Sequence, residues 1–173
     1  PEMSRGLGDV YKRQLNRYAA ARLSGNINKR YVAVVRGRFE GSGTINKPIY
    51  RPDPMKTLRV CGDMPGSESA VTHWESLYSS DEYSLLSLTL ETGRTHQIRV
   101  HFASMGAPLA GDTMYGAPEN EIGHHLLHCA ECGFIHPASG EEIRLSAPPP
   151  QDFLDFCRSF IPADVLAKIF NYA

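Results

Sequence analysis

Three side chains suited to binding and orienting anions lie close together in the segment ETGRTHQIRVH, residues 91–101. Gly93 allows a sharp turn from a strand into a helix, and Arg94, His96 and Arg99 follow it near the start of that helix. Backbone N–H groups at a helix N-terminus already favour anions, so two guanidinium groups and an imidazole there would suit a phosphate or carboxylate. A solvated polar face on a core helix explains the same spacing equally well.

Tyr31 begins an otherwise apolar stretch within NKRYVAVVRG, residues 28–37, and Lys29 and Arg30 precede it. An amphipathic ring at the mouth of a sheet can stack on a base or take part in proton transfer. A tyrosine in a strand is far more often simply packed, so this residue does not identify a site by itself.

Cys129 and Cys132 form a CxxC pair with histidines on both sides, a combination of residue types that zinc uses. The nearby histidines are His124, His125, His128 and His136. A strand over residues 126–135 would point the two cysteines to opposite faces, because they are three residues apart. We therefore expect buried thiols and no bound metal, and keep a zinc-binding domain as the less favoured alternative.

The elements that must position these residues mix hairpins with single helices. The sequence predicts a helix over residues 15–23, a buried strand over 31–35, and a long, basic, mostly irregular loop over 41–66. Leucines alternate with polar residues in 83–90, which indicates a strand that is wet on one face and pairs with 71–78 in a hairpin.

Further along the chain, the pattern predicts another hairpin and three more helices. They are a helix of about three turns between Gly93 and Gly106, a hairpin that joins 126–135 to 142–145, a helix with Phe153, Phe156 and Phe160 on one stripe, and a short helix from Pro162 to Asn171. This order favours an α+β domain with a mixed, mainly antiparallel sheet and peripheral helices over alternating βαβ units.

Length and composition place the chain among ordinary globular proteins. Its 173 residues suit one domain, and a composition of 42% hydrophobic and 21% charged residues disfavours the disordered, collagen-like and coiled-coil classes. No apolar run approaches the roughly 18 residues of a membrane span, and no secretory h-region is present. Four cysteines are too few for a disulfide framework. We expect a cytosolic protein with no membrane partner.

Charge is divided unevenly along the chain. Residues 1–60 contain 13 Lys and Arg against 4 Asp and Glu, whereas residues 61–173 contain 5 against 15. A basic part set into an acidic body suits a surface that binds nucleic-acid phosphates, although dispersed surface charge gives the same counts.

Three longer segments together are similar to a known family. They are KRYVAVVRG at 29–37, TGRTHQIRVHFASMGAPLAGDTMYG at 92–116 and LLHCAECGFIHPASGE at 126–141. This combination resembles the RluA-type pseudouridine synthases, enzymes that isomerise uridine in structured RNA. The likeness runs in order from about residue 19 to residue 150. It implies a pseudouridine synthase catalytic fold, RNA as the partner, either ribosomal or transfer RNA, and neither a cofactor nor an obligate protein partner.

The resemblance also assigns roles to individual residues. In the family an aspartate attacks the nucleotide, an arginine orients that carboxylate, and a tyrosine stacks on the base and assists removal of the C5 proton. By motif position, Arg99 resembles the orienting arginine and Tyr31 the stacking tyrosine. The remaining set is expected to bind the substrate or its backbone and to line the pocket: Lys29, Arg94, His96, Gln97 and, as the apolar lining residue, Leu127.

The family's nucleophilic aspartate has no counterpart in the expected place. It belongs to a Leu-Asp motif about thirty residues before the strand tyrosine, and Asp9 in GLGDVYK matches neither that context nor that spacing. Residues 1–14 resemble a vector- or adaptor-derived string, so we expect an extraneous leader followed by a partial catalytic domain at 15–173. We expect this chain to be inactive as given; a non-catalytic RNA-binding module is the alternative interpretation.

Overall fold

The computed structural model describes residue 16 and residues 27–119, 122–137 and 139–170. The described residues form two compact units. The larger comprises 30–130 and 147–170, and the smaller comprises 27–29 and 131–146. The predicted leader, and the helix predicted over 15–23 apart from residue 16, lie outside the described residues.

The sheet of the larger unit is built around a central hairpin. Strands β5 (Val71–Ser79) and β6 (Tyr83–Leu90) pair antiparallel, as the sequence predicted. Strand β1 (Ile27–Arg36) pairs antiparallel with β6, so that Tyr31 lies opposite Leu88. Tight burial explains the apolar stretch in β1, because its four residues 32–35 are at most 1% exposed.

Helices cover both faces of this sheet. Helix α1 (Gln97–Ala103) packs Ile98 and Phe102 onto one face, against an apolar cluster that includes Leu86 and Leu88. The other face is covered by α2 (Gln151–Arg158) and α3 (Ala163–Ile169), whose buried side chains are Phe153, Cys157 and Leu166. Phe156 and Phe160 pack around this second cluster, but Phe160 lies beyond the end of α2.

The stretch 41–66, predicted as a long, mostly irregular loop, contains three short strands that the sequence did not predict. This stretch contains β2 (Ser42–Asn46), which pairs antiparallel with β5, and the two short strands β3 (Ile49–Tyr50) and β4 (Val60–Cys61), which pair with each other. Strands β2 and β3 each bury a single apolar residue, Ile45 and Ile49, which are 4% and 3% exposed. Tertiary pairing overrides the weak local pattern here.

Helix α1 is shorter than predicted, with 7 residues, about two turns. The residues before it do not extend the helix. His96 adopts a left-handed conformation with φ of 57°, so the helix cannot continue from it toward Gly93. Gly106, with φ of 75°, follows the end of α1 as the sequence predicted for a helix stop.

The predicted second hairpin is confirmed. Strand β7 (Leu127–Ile135) begins in the larger unit, where it follows β1 in the sheet order β2-β5-β6-β1-β7. Within the smaller unit, residues 131–135 of β7 pair antiparallel with β8 (Glu142–Ser146). The α+β class with a mainly antiparallel sheet and peripheral helices is therefore confirmed. No helix among the described residues is long and apolar enough to cross a membrane.

Close packing at Gly43 gives a testable consequence for stability. A Cβ atom at Gly43 would lie 2.7 Å from the ring of Trp74, which is itself in edge contact with Phe39 at 5.3 Å. We expect Gly43→Ala to lower the free energy of unfolding by about 1–3 kcal/mol through overpacking. Urea denaturation measures this, with Gly123→Ala as control because a Cβ there meets nothing within 4 Å. Equal stability of the two variants would contradict the expected overpacking against Trp74.

Candidate active site

A buried glutamine holds the turn that leads into α1. Gln97 is 3% exposed, and its side-chain oxygen accepts hydrogen bonds from the Thr92 hydroxyl at 2.8 Å and from the backbone N–H of Arg94 at 3.0 Å. Its amide nitrogen donates to the Val71 carbonyl at 2.9 Å and to the Thr72 hydroxyl at 3.1 Å. These bonds occupy both ends of the amide inside the protein. Gln97 thus fixes the turn to strand β5.

The network continues through a fully buried histidine. His101 is 0% exposed; its Nδ1 lies 2.9 Å from the Thr72 hydroxyl and its Nε2 lies 3.0 Å from the Lys47 carbonyl. Since a carbonyl only accepts, Nε2–H donates to Lys47 and the Thr72 hydroxyl donates to Nδ1. Burial lowers the pKa of His101, which keeps it neutral. Gln97 at the start of α1 and His101 near its end are therefore both hydrogen-bonded to Thr72 of strand β5.

Arg99 is held in one orientation by a buried carboxylate. Its Nε and Nη2 donate to the two oxygens of Asp112, each at 2.7 Å, and Asp112 is 1% exposed. These hydrogen bonds raise the pKa of Arg99, against the opposing effect of its burial, so it is a permanent cation. The Arg99 side chain is 11% exposed, and its Nη1 makes no hydrogen bond with the described residues. One edge of the guanidinium thus remains available for a second acceptor.

Tyr115 connects Arg99 to two other groups. Its ring lies against the guanidinium, with Cζ of Arg99 5.0 Å from the ring centroid. Its hydroxyl lies 3.0 Å from Nδ1 of His96 and accepts the backbone N–H of Arg59 at 3.0 Å. Arg99, His96 and the loop that includes Arg59 therefore meet at one phenol.

A short turn places both partners of Arg99. Asp112 precedes the 3-10 helix Thr113–Tyr115, which ends with Tyr115. Gly111 has φ of 74°, and a Cβ there would lie 2.0 Å from the His124 carbonyl oxygen. Only glycine fits this close approach, which explains the residue type at position 111.

Two histidines beside Arg99 have lowered pKa values. For His96 the causes are burial first, then the positive charges of Arg99 and Arg59. For His125 burial again acts first and Arg99 second. Both imidazoles are therefore disposed to be neutral around pH 7, which leaves Arg99 as the permanent cation among them.

Tyr31 and Leu127 lie on the same side of the sheet as α1. Both are half-buried and pack against the apolar cluster that contains Ile98 and Phe102 of α1. Arg99 also lies on α1, so these three predicted site residues lie on the same side of the sheet.

The other predicted substrate-binding residues differ in their surroundings. Arg94 donates to Glu68 at 2.7 Å and to the Ser69 carbonyl at 3.2 Å, so its guanidinium already has acceptors at the surface. Gln97 is buried, as described above, with no edge toward solvent. Lys29 is exposed and belongs to the smaller unit. The roles predicted for all of them on RNA remain predictions.

Asp112, Tyr115 and His125 are the residues near Arg99 that sequence reasoning did not assign. Asp112 and Tyr115 both lie in GDTMYG, residues 111–116, which is part of the segment on which the resemblance rests. A carboxylate within such a motif could have been paired with Arg99 as its partner. His125 stood among the candidate zinc ligands instead.

Among the described residues, no group of three or more His, Cys, Asp or Glu side chains is arranged to hold a metal ion. Cys129 and Cys132 both lie in strand β7, three residues apart. A regular strand sends such residues to opposite faces. Both thiols are half-buried, so the expectation that they are buried was wrong.

A solved structure shares this fold. The human RNA pseudouridylate synthase domain containing 1 superposes with a TM-score of 0.63 and 25% sequence identity, covering 87% of this chain and 68% of that one. The α+β fold with a mainly antiparallel sheet is thus shared with a pseudouridylate synthase domain.

Sequence comparison then identifies the family itself. The sequence model of the RNA pseudouridylate synthase family matches residues 13–104, and the chain belongs to this family. The uncharacterized RNA pseudouridine synthase YjbO of Bacillus subtilis is 44% identical over 136 residues, which are 78% of this chain and 47% of that protein. The ribosomal large subunit pseudouridine synthase D of Vibrio cholerae is 38% identical over 144 residues, 75% of this chain and 44% of that protein. The resemblance to RluA-type enzymes is confirmed, and the chain spans less than half the length of these two relatives.

Proposed function

We propose that this chain contributes to the isomerisation of uridine to pseudouridine in structured RNA, either ribosomal or transfer RNA, in the cytosol. One observation supports the proposal above the others. The Arg99 guanidinium is fixed by Asp112 and Tyr115, keeps Nη1 without a partner among the described residues, and lies on the side of the sheet that Tyr31 borders. A fixed cation beside an aromatic ring suits a site that orients a carboxylate against a nucleotide.

The proposed division of roles follows from these surroundings. Arg99 would direct Nη1 toward the nucleophilic carboxylate, Tyr31 would stack on the base, and Leu127 would line the apolar side of the pocket. The exposed edges of His96, Arg94 and Lys29 would contact the substrate. Gln97 would act by holding the turn that carries them, since both ends of its amide are bonded inside the protein.

The isomerisation depends mainly on how the enzyme positions the uridine and the carboxylate. The uridine leaves its stack, the carboxylate bonds to the sugar as the glycosidic bond to N1 breaks, and the base turns and bonds to the sugar through C5 as the carboxylate is released. C5 then loses its proton, with Tyr31 assisting, and N1 takes up a proton. Substrate and product have the same composition, so the net reaction needs no oxidant or reductant. Arg99 is proposed as the fixed cation and Tyr31 as the stacking ring.

We further propose that the 173 residues as given do not turn over uridine, because the printed sequence has no aspartate in the family's Leu-Asp context before Tyr31. The test uses a chimera in which residues of this chain replace the matched region of Bacillus subtilis YjbO. Tritium release from C5-labelled uridine in RNA is expected from the chimera and not from the chain alone.

Each outcome of that test has a definite meaning. Tritium release by the chain alone would overturn its proposed inactivity. A folded chimera that binds RNA in a salt-dependent manner but releases no tritium would favour the non-catalytic RNA-binding module. Unmodified YjbO, assayed in parallel on the same RNA mixture, shows whether a suitable substrate is present.

The basic loop over residues 51–59, between β3 and β4, gives a prediction about RNA binding. Arg59 of this loop contacts Tyr115, which brings the loop next to the proposed site. Lys56 is 73% exposed, and its nearest carboxylate, Asp53, is 3.9 Å away. We expect Lys56→Ala to weaken RNA binding by about two- to threefold and to lower the salt dependence by about one phosphate contact.

A matched control exists for this variant. Lys168 in α3 is 79% exposed and lies 3.8 Å from the carboxylate of Asp164, so its local charge resembles that of Lys56. Lys168→Ala should leave both the affinity and the salt slope unchanged in fluorescence anisotropy titrations. Equal effects of the two substitutions would show that only total charge matters and would contradict a role for the loop.

A further inference from the structure

The hydroxyl of Tyr115 has two partners, and one of them can only donate. The backbone N–H of Arg59 lies 3.0 Å from the phenol oxygen, so that oxygen accepts from it. The second partner is Nδ1 of His96, also at 3.0 Å. A phenol has a single hydrogen, so the direction of this second bond decides the protonation of His96.

One direction leaves fewer polar groups without a partner. If Nδ1–H of His96 donated, the phenol oxygen would accept twice, and both its own O–H and the Nε2 acceptor of the imidazole would lack partners among the described residues. If instead the phenol donates to Nδ1, the Nε2–H of the imidazole is the one group of this set without a partner among the described residues. The hydrogen of the neutral imidazole then lies on Nε2. Nε2 makes no hydrogen bond with the described part of the chain.

The charges around His96 favour this neutral form. Burial lowers its pKa most, and the guanidinium groups of Arg99 and Arg59 lower it further. His125 acts weakly in the same direction, and Asp112 opposes it, but the carboxylate of Asp112 is taken up by its two bonds to Arg99. The left-handed backbone of His96, with φ of 57°, places the ring in edge contact with Tyr115.

We propose that Tyr115 is a positioning residue that fixes His96 as a neutral donor, with its hydrogen on Nε2, for an oxygen atom of the bound uridine nucleotide. The inference rests on the proposed function and deepens it. Through its ring, Tyr115 holds the Arg99 cation, and through its hydroxyl it sets the hydrogen of the neighbouring imidazole. Tyr115 thus positions two hydrogen-bond donors, the positively charged Arg99 and the neutral His96.

Neutrality of the second donor has a chemical reason. An imidazolium beside Arg99 would be a second cation competing for the nucleophilic carboxylate, and would draw that carboxylate away from the sugar. A neutral Nε2–H still gives a directional hydrogen bond to a carbonyl, hydroxyl or phosphate oxygen of the nucleotide. Arg99 then remains the cation that orients the carboxylate.

The test reads the tautomer directly in the full 173-residue chain. Long-range 1H–15N correlation spectra of the histidine-labelled protein distinguish the two neutral tautomers, and His96→Gln identifies the His96 resonances by their loss. We expect the Nε2–H form above pH 7. In Tyr115→Phe, which keeps the ring against Arg99, we expect a mixture of tautomers and a higher pKa for His96, since the bond to its neutral form is gone. His73, which contacts Thr44 and Glu91 instead, is the internal control and should not change.

A second measurement separates this inference from the proposed function. Tyr115→Phe should weaken binding of a uridine-containing oligonucleotide by about three- to tenfold, as expected for loss of a fixed hydrogen bond. An Nδ1–H tautomer in the unmodified protein, or an unchanged tautomer in Tyr115→Phe, would overturn the role of Tyr115. The Nε2–H tautomer with no measurable binding by the unmodified protein would support that role in fixing the tautomer but would overturn the proposed function and, with it, His96 as a donor to RNA.

Discussion

Arg99→Ala in the YjbO chimera is expected to abolish tritium release while leaving RNA affinity within about tenfold, a change under roughly 1.4 kcal/mol. The guanidinium is assigned to the carboxylate in the transition state and contributes little to general RNA attraction, so turnover and affinity should separate. Arg99→Lys should not restore turnover, because an ammonium group cannot bond both oxygens of Asp112 and also present a third planar donor.

The control for this prediction is an arginine with carboxylate partners but no place in the site. Arg38 pairs with Glu40 and Asp81 at the surface, with its side chain 58% exposed. Arg38→Ala should retain turnover within about twofold, as expected for an exposed ion pair. Near-normal turnover of Arg99→Ala, with folding intact, would show that the role given to Arg99 is wrong.

Asp112→Ala is expected to lower the free energy of unfolding of the 173-residue chain by about 3–5 kcal/mol. Asp112 is 1% exposed, and its removal leaves the largely buried Arg99 cation without a counter-charge. Tyr115 cannot replace the lost carboxylate, since its ring contact with Arg99 is worth much less than two charge-assisted hydrogen bonds. Urea denaturation at neutral pH measures the loss.

Asp81→Ala provides the exposed counterpart. Asp81 is 93% exposed in its pair with Arg38, so its removal should change stability by less than about 1 kcal/mol. The double variant Arg99→Met, Asp112→Leu should recover much of the loss, because no unpaired charge then stays buried. Similar stabilities of Asp112→Ala and Asp81→Ala would contradict the importance of the buried pair.

The parts of the fold that the sequence predicted are those in which local pattern and tertiary packing agree. Alternating leucines in β6 face the core on one side, and the apolar run in β1 is buried on both sides. Helix α2 was predicted from the spacing of Phe153 and Phe156, which pack with the core. In each case, the residues that define the period are also those that are buried.

The missed elements depend on partners that are distant in the chain. Strand β2 exists because β5 pairs with it, some thirty residues later, although its own sequence contains Ser42, Gly43 and Asn46. The shortening of α1 follows from the left-handed His96, whose ring contacts Tyr115 on another element. Neither fact is expressed in the local periodicity of the residues concerned.

The candidate site shows the same division. Resemblance to the family selected Arg99, Tyr31 and Leu127; Tyr31 and Leu127 pack against one apolar cluster, and Arg99 lies on helix α1, which contributes Ile98 and Phe102 to that cluster. What holds Arg99 was not predicted, because Asp112 follows it by thirteen residues through a turn that only Gly111 permits. For Gln97, the resemblance implied support of the substrate, and burial and four internal hydrogen bonds show that its side chain holds the turn into α1.

Tyr31 and Arg99 are proposed to face one uridine. Titration of the labelled chain with a short single-stranded oligonucleotide that contains one uridine avoids the cost of unstacking a duplex. The ring resonances of Tyr31 and the Nε–H resonance of Arg99 should then shift together, at the same concentration, and should stay unshifted with an oligonucleotide that is abasic at that position. Binding that shifts one of the two residues without the other, or that shifts both equally with the abasic control, would contradict the account.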